Sequence, residues 1–238
     1  EITCSGDVIL ENWGGSRGDG RNLITNGLTV KADTVTTEGG ISGETMIDCI
    51  GDIKLGNEHG TTVSKLTVKS ANNVTVTSGS VNRSIGQDGA EITCSGIVEL
   101  DSNRYSYDNL GKVSFTQANK KPYVYFTDKS SEEYKDSRIT PIPDTVESRY
   151  LRIEPRETYN ITVKNGTAQV GDDTTGLNTA FAGEKVTVSG KNENPSVTKF
   201  GGWKVISPES FELTEAQKNT EKNMTFTMPV SYTHLRAH

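Results

Sequence analysis

Apolar and polar residues alternate in short bursts over the first hundred positions, and the bursts resemble one another. Glu1-Ile-Thr-Cys-Ser-Gly-Asp-Val-Ile-Leu10 returns almost letter for letter as Glu91-Ile-Thr-Cys-Ser-Gly-Ile-Val-Glu-Leu100, and more loosely as Met46-Ile-Asp-Cys-Ile-Gly-Asp-Ile-Lys-Leu55. Cys4, Cys49 and Cys94 therefore recur at intervals of 45 residues. Between these copies lie Leu28-Thr-Val-Lys-Ala-Asp-Thr-Val-Thr36 and Leu66-Thr-Val-Lys-Ser-Ala-Asn-Asn-Val-Thr-Val76. Each unit alternates with period 2, bends at small residues, and alternates again, which predicts two short strands joined by a tight corner. The steps from Cys4 to Val30, Cys49, Val68 and Cys94 are 26, 19, 19 and 26 residues. They predict a coil of about 20 residues, with extra loop in residues 11–26 and 78–90. A coil that short holds strand pairs but no helix, and it buries its inner face only by stacking on the next. The fold expected for residues 1–103 is a short right-handed parallel β-helix. An antiparallel sandwich would also show frequent turns, but it does not require strands that repeat at a fixed period.

The same spacing predicts that the three cysteines point inward in one file, with Val30 and Val68 in the intervening places. Alternate rungs are about 10 Å apart, beyond the Cα separation a disulfide spans. The cysteines are therefore expected as free thiols, acting as small hydrophobes.

Residues 104–157 change character. Tyr105, Tyr107, Tyr123, Tyr125, Tyr134 and Tyr150 concentrate there, and Pro122, Pro141, Pro143 and Pro155 interrupt the pattern. Strands are expected over residues 112–117, 123–127 and 150–153. The segment Tyr123-Val-Tyr-Phe-Thr-Asp128, Thr140-Pro-Ile142 and Tyr150-Leu-Arg-Ile-Glu-Pro155 resembles a small β module that recurs in surface proteins of gut Firmicutes.

Residues 158–230 carry four further motifs: Tyr159-Asn-Ile-Thr-Val-Lys-Asn-Gly166, Ala182-Gly-Glu-Lys-Val-Thr-Val188, Phe200-Gly-Gly-Trp203 and Met224-Thr-Phe-Thr-Met-Pro229. In this order they resemble the divergent internalin B-type repeat of bacterial surface proteins. That resemblance implies a β-grasp-like unit serving as a stalk or adhesive spacer. The residues make physical sense by themselves: alternating strands, Gly201 and Gly202 for a close backbone approach, and Trp203 to fill a small core. Where the family has a last alternating strand, this chain has Ser231-Tyr-Thr-His-Leu-Arg-Ala-His238. Residues 231–238 are read as a non-native tail that contributes nothing to the fold. Because the chain also opens inside a repeat, truncation at both ends is expected.

Composition narrows the classes. Of the 238 residues, 32% are hydrophobic, which suits thin β cores with Thr at half-buried positions. A net charge of −6 argues against nucleic acid and anionic lipid as partners. No run approaches the ~20 apolar residues of a membrane span.

Candidate chemistry is sparse. The sequence has no nucleophile elbow, phosphate-binding loop, His-Glu-x-x-His helix or Cys-x-x-Cys pair. His59 is the one histidine before the tail. Asp48 and Asp52 flank Cys49 without a clear Arg or Lys partner on the same face, and Asp172-Asp173, before Gly176, offer oxygen ligands for calcium but read more simply as a solvated loop. No enzyme activity, cofactor or metal is expected. The enlarged loop Asn12-Trp-Gly-Gly-Ser-Arg-Gly-Asp-Gly-Arg-Asn22 holds the candidate ligand-binding residues Trp13, Arg17 and Asp19, since binding residues concentrate on loops displayed by a rigid scaffold. Trp13 folded over the edge of a rung is the alternative. The expected function is structural display or adhesion at a bacterial cell surface or cell wall, with glycans or host surface proteins as partners. The alternatives are a carbohydrate-binding module and the non-catalytic part of a polysaccharide-acting β-helix enzyme.

Overall fold

The structure, a computed structural model, describes residues 1–11, 22–24, 27–38, 40–41, 43–56, 63, 65–78, 89–102, 110–129, 135–136, 141–171, 179–191, 200–207, 211–218, 223–229 and 233–237. It is almost entirely β and divides into two compact units, Glu1–Pro155 and Arg156–His238. Among the described residues, no helix is long and apolar enough to cross a membrane.

The first unit contains β1 (Ile2–Thr3), β2 (Val8–Leu10), β3 (Asn22–Ile24), β4 (Leu28–Ala32), β5 (Val35–Thr37), β6 (Gly40–Ile41), β7 (Glu44–Cys49), β8 (Ile53–Leu55), β9 (Lys65–Ser70), β10 (Val74–Ser78), β11 (Ala90–Cys94), β12 (Val98–Ser102), β13 (Gly111–Gln117), β14 (Tyr123–Phe126), β15 (Lys135–Asp136), β16 (Thr145–Val146) and β17 (Tyr150–Pro155). One sheet has the order β1-β4-β7-β9-β11-β13-β16, and the other β15-β14-β17-β12-β10-β8-β5-β2. From β1 to β13 in the first, and from β2 to β12 in the second, every neighbouring pair is parallel. The chain passes from one sheet to the other within each repeat unit, and a short parallel pair, β3 with β6, lies apart from both.

Inward positions align along each sheet. In the first, Ile2 lies opposite Val30, Val30 opposite Ile47, Ile47 opposite Val68, and Val68 opposite Ile92. In the second, Val8, Val35, Ile53, Val74 and Val98 are aligned. Both rows feed one core, in which Val35, Ile47, Ile53, Val74 and Val98 are fully buried. Each such side chain contributes roughly 1.5–3 kcal/mol.

The expected cysteine file needs correction by two residues. Val30 and Val68 align with Ile47, whereas Cys49 lies opposite Ala32 and Cys94 opposite Gln117. A shift of two keeps each side chain on the same sheet face, so Cys49 and Cys94 still point inward, at 2% and 0% exposure. Cys4 is exposed, because β1 is an edge strand. All three thiols are free.

The corners explain the Cys-x-Gly element of the repeat. The Gly51 N–H donates to the Asp33 carbonyl at 2.8 Å, and the Gly96 N–H to the Asn72 carbonyl at 2.6 Å. A Cβ on Gly51 would lie 2.8 Å from Thr34 Cγ2 and 2.9 Å from the Asp33 oxygen, and one on Gly96 would lie 2.6 Å from the Asn72 oxygen. Gly6 has the same place in the motif, but a Cβ there would meet nothing within 4 Å. Side chains reinforce the stack. The Thr34 hydroxyl donates to Asp7 Oδ1 at 2.6 Å, Asn72 and Asn73 donate to Asp52 Oδ1 at 3.0 and 2.9 Å, and Asn73 Oδ1 accepts from the Ile97 N–H at 2.8 Å.

Beyond β12 and β13 the pairing changes sense. Antiparallel β17 places Ile153 opposite Val98 and Leu151 opposite Leu100, and antiparallel β16 pairs with β13. These strands cover sheet edges that would otherwise present unpaired backbone groups. Val113, Tyr125, Val146, Leu151 and Ile153 belong to the same core as the repeats. The break expected at residue 103 is therefore not a boundary between compact units, because the Tyr-rich segment finishes the core that the repeats begin.

The second unit contains β18 (Thr158–Lys164), β19 (Gly166–Val170), β20 (Thr179–Phe181), β21 (Lys185–Gly190), β22 (Trp203–Ser207), α1 (Glu215–Lys218), β23 (Asn223–Thr227) and β24 (Thr233–Ala237). Its sheets have the orders β20-β18-β24-β22 and β19-β21-β23. Trp203 is 4% exposed and meets Phe200 edge-on at 5.4 Å, as expected of a core residue. A Cβ on Gly202 would lie 2.6 Å from the Lys218 carbonyl oxygen, so the expected close approach is present there. A reciprocal capping box starts α1: Thr214 Oγ1 accepts from the Gln217 N–H at 3.2 Å, and Gln217 Oε1 accepts from the Thr214 N–H at 2.9 Å.

The tail departs from expectation. Strand β24 pairs parallel with β18 and antiparallel with β22, and Thr233, Leu235 and Ala237 are buried. Thr-His-Leu-Arg-Ala does alternate with period 2, and the small or apolar residues occupy its inner positions. A chain ending at residue 230 should therefore lose the cooperative unfolding transition of the second unit, measured by calorimetry.

Replacing Gly51 or Gly96 by Ala should cost about 1–3 kcal/mol, whereas Gly6→Ala should be nearly neutral. Denaturant unfolding of the three variants tests whether corner packing, rather than turn conformation, requires the glycine.

Candidate functional site

Outward residues of β9, β11 and β13 line an open groove of about 490 Å³ on the first sheet. Thr67, Glu91 and Ser114 form one row across it, and Thr93 and Thr116 form the next. Lys65 and Lys69 stand on β9 and Lys112 on β13. Gly89, which precedes β11, leaves no side chain beside Lys112. The lining therefore holds three ammonium groups and one carboxylate, a local excess of positive charge on a chain of net charge −6. Among the described residues, no ion pair or side-chain hydrogen bond engages Lys65, Lys69, Lys112 or Glu91. On the β7 side, Glu44 lies opposite Lys65.

A second polar cluster joins β12 to β17. Arg152 Nη1 meets Glu99 Oε2 at 3.1 Å and its Nε meets Glu154 Oε1 at 2.5 Å, while Lys129 pairs with Asp101 and stands 5.3 Å from the Tyr150 ring centre. Bonding to Asp101 raises the Lys129 pKa, bonding to Glu154 raises that of Arg152, and burial followed by the Glu99 charge raises that of Tyr150. Every cation here has a carboxylate partner, so the cluster ties the antiparallel strand to the parallel stack. Such partly exposed pairs contribute roughly 0.2–1 kcal/mol each.

Trp13, Arg17 and Asp19, the ligand-binding candidates from the sequence, lie outside the described residues, as do His59, Asp172 and Asp173. Asp48 is on the outer face of β7 opposite Lys31, while Asp52 is held in a corner by Asn72 and Asn73. The two do not converge on one site. Among the described residues, no group of three or more His, Cys, Asp or Glu side chains could hold a metal ion.

The lysine groove was not foreseen. Lys65 and Lys112 are 47 residues apart, and only the parallel register of β9, β11 and β13 brings them to one face. The available signal was the polar half of each alternation, whose apolar half had already revealed the strands. Comparison with protein-family models, curated proteins and solved structures returns no match for this chain.

Burial, with smaller contributions from the Asp48 and Asp52 charges, raises the Cys49 thiol to about 11. Burial also raises Cys94, whose Sγ donates to the Asn72 carbonyl at 2.8 Å. Both are neutral at pH 7 and unsuited to nucleophilic attack or metal binding. One thiol, Cys4, should react rapidly with a thiol reagent, and the other two only after unfolding. Folding favours the protonated form of Cys49, so its contribution is complete below about pH 8.5, the value of a free thiol. It should be lost as the pH rises toward about 11. The melting midpoint should fall over that interval, and fall less in Cys49→Ala.

Proposed function

We propose that this chain is part of an extracellular bacterial surface protein that acts in structural display or adhesion. In this reading residues 1–103 form a short right-handed parallel β-helix, which the strands of residues 110–155 close at one end. The observation that carries it is the unbroken stacking of successive repeats, through aligned core residues and through corners that hydrogen-bond to one another. Such a stack resists bending and presents its outward side chains at fixed spacing, which suits a spacer and a display surface. The alternation between two parallel sheets and the separate β3–β6 pair favour a coil with three sides.

The second unit is read as an internalin B-type repeat. Its four motifs fall on β18 and β19, on β21, at the start of β22, and on β23, so each belongs to the framework of the unit. The loop of residues 12–21, with Trp13, Arg17 and Asp19, remains a candidate contact for glycans or host surface proteins.

Antibodies raised against the purified chain should label intact cells of the organism that carries the gene. Labelling only after permeabilisation would overturn the surface reading. The chain should also release no new ends from pectins, alginates or mucins in the presence of calcium. Depolymerisation abolished by Asp48→Ala or Asp52→Ala would favour the enzyme alternative.

A further inference from the structure

We propose that the groove on the outer face of β9, β11 and β13 binds a linear acidic polysaccharide, one bearing carboxylate or sulfate groups along a hydroxylated chain. This deepens the adhesion reading by naming a ligand class and a site, and it rests on that reading only for its biological setting.

The charge argument comes first. Lys65, Lys69 and Lys112 surround one carboxylate, Glu91, and none of the three has an ion-pair partner among the described residues. At the cap, by contrast, Lys129 and Arg152 are both neutralised within the fold. The groove lysines are available to an external anion.

Spacing then favours a polymer over a small ion. Lys65 and Lys112 are rooted on strands two apart, so their backbones are about 10 Å apart, and Lys65 and Lys69 are about 13 Å apart along one strand. Gathering all three ammonium groups around one phosphate or sulfate would crowd like charges together. A chain with acidic groups at intervals meets each lysine where it stands. The groove is open to solvent rather than enclosed, so an extended chain can lie on it.

The remaining lining selects the chemistry of the backbone. Thr67, Thr93, Ser114 and Thr116 present rows of hydroxyls that can donate to and accept from sugar hydroxyls. The lining contains no aromatic side chain on which a nucleobase could stack. An extended peptide typically adds to a sheet edge by backbone pairing. Here β9 and β11 are paired on both sides, and β13 is covered by β16. The face offers side chains alone.

The test is binding of the purified full chain to heparin oligosaccharides, to oligogalacturonate and to neutral dextran, by calorimetry at low and high salt. At least one acidic probe should bind and dextran should not, and the affinity should fall steeply with salt, as exposed charge pairs require. Binding of the sulfated or the carboxylated probe alone would identify the acidic group. The double variant Lys65→Gln, Lys112→Gln should bind roughly tenfold more weakly, with an unchanged melting midpoint. Glu91→Gln should tighten binding several-fold, an effect that loss of folding cannot imitate. Failure of both acidic probes to bind, or binding that survives the lysine changes and disappears with Trp13→Ala, would overturn the assignment. Neither result depends on cell labelling, so the site and the surface location fail separately.

Discussion

The first unit depends on how closely one corner can lie against the next. Backbone hydrogen bonds run between successive corners, and Gly51 and Gly96 stand where a methyl group would strike the preceding one. This contact sets the vertical spacing, and the spacing lets Ile47, Val68 and Ile92 lie directly over one another. If the corners were forced apart, the core would lose its packing in both sheets at once. The polar bonds of Asp52 with Asn72 and Asn73 then satisfy donors and an acceptor that the tight bend brings together.

The strands divide their labour by parity. Inward residues are mostly Val, Ile, Leu, Ala and Cys, with Thr37, Thr45 and Gln117 among them, and burial of the apolar ones is the main favourable contribution. Outward residues are mostly Thr, Lys, Glu and Asp, with Ile9 and Met46 as exposed exceptions. At β12 and β17 they serve the fold, through Arg152 with Glu99 and Glu154. On β9 and β13 they leave charge uncompensated. The same parity thus yields a structural tie on one sheet and an open cationic groove on the other.

What the sequence disclosed follows from where the information lies. The 45-residue recurrence of Cys-x-Gly revealed parallel stacking, because it repeats the strands and the corner together. It misplaced Val30 and Val68 by two positions, since sheet alternation cannot distinguish a register from one shifted by a full period. The tail was misread because it departs from the last strand of the resembled family, yet Thr233, Leu235 and Ala237 alternate and are buried in a strand between β18 and β22. Lys65 and Lys112 showed only as polar positions of two separate alternations. Their proximity depends on the lengths of the loops between β9 and β13, which alternation does not encode.

Antiparallel strands cover the parallel run at β12 in one sheet and at β13 in the other. If the proposed β-helix reading holds, an in-frame duplication of one 45-residue double repeat would insert two further layers without altering any residue at the cap. Length would then change in discrete steps, while the cap and the chemistry of each face are preserved.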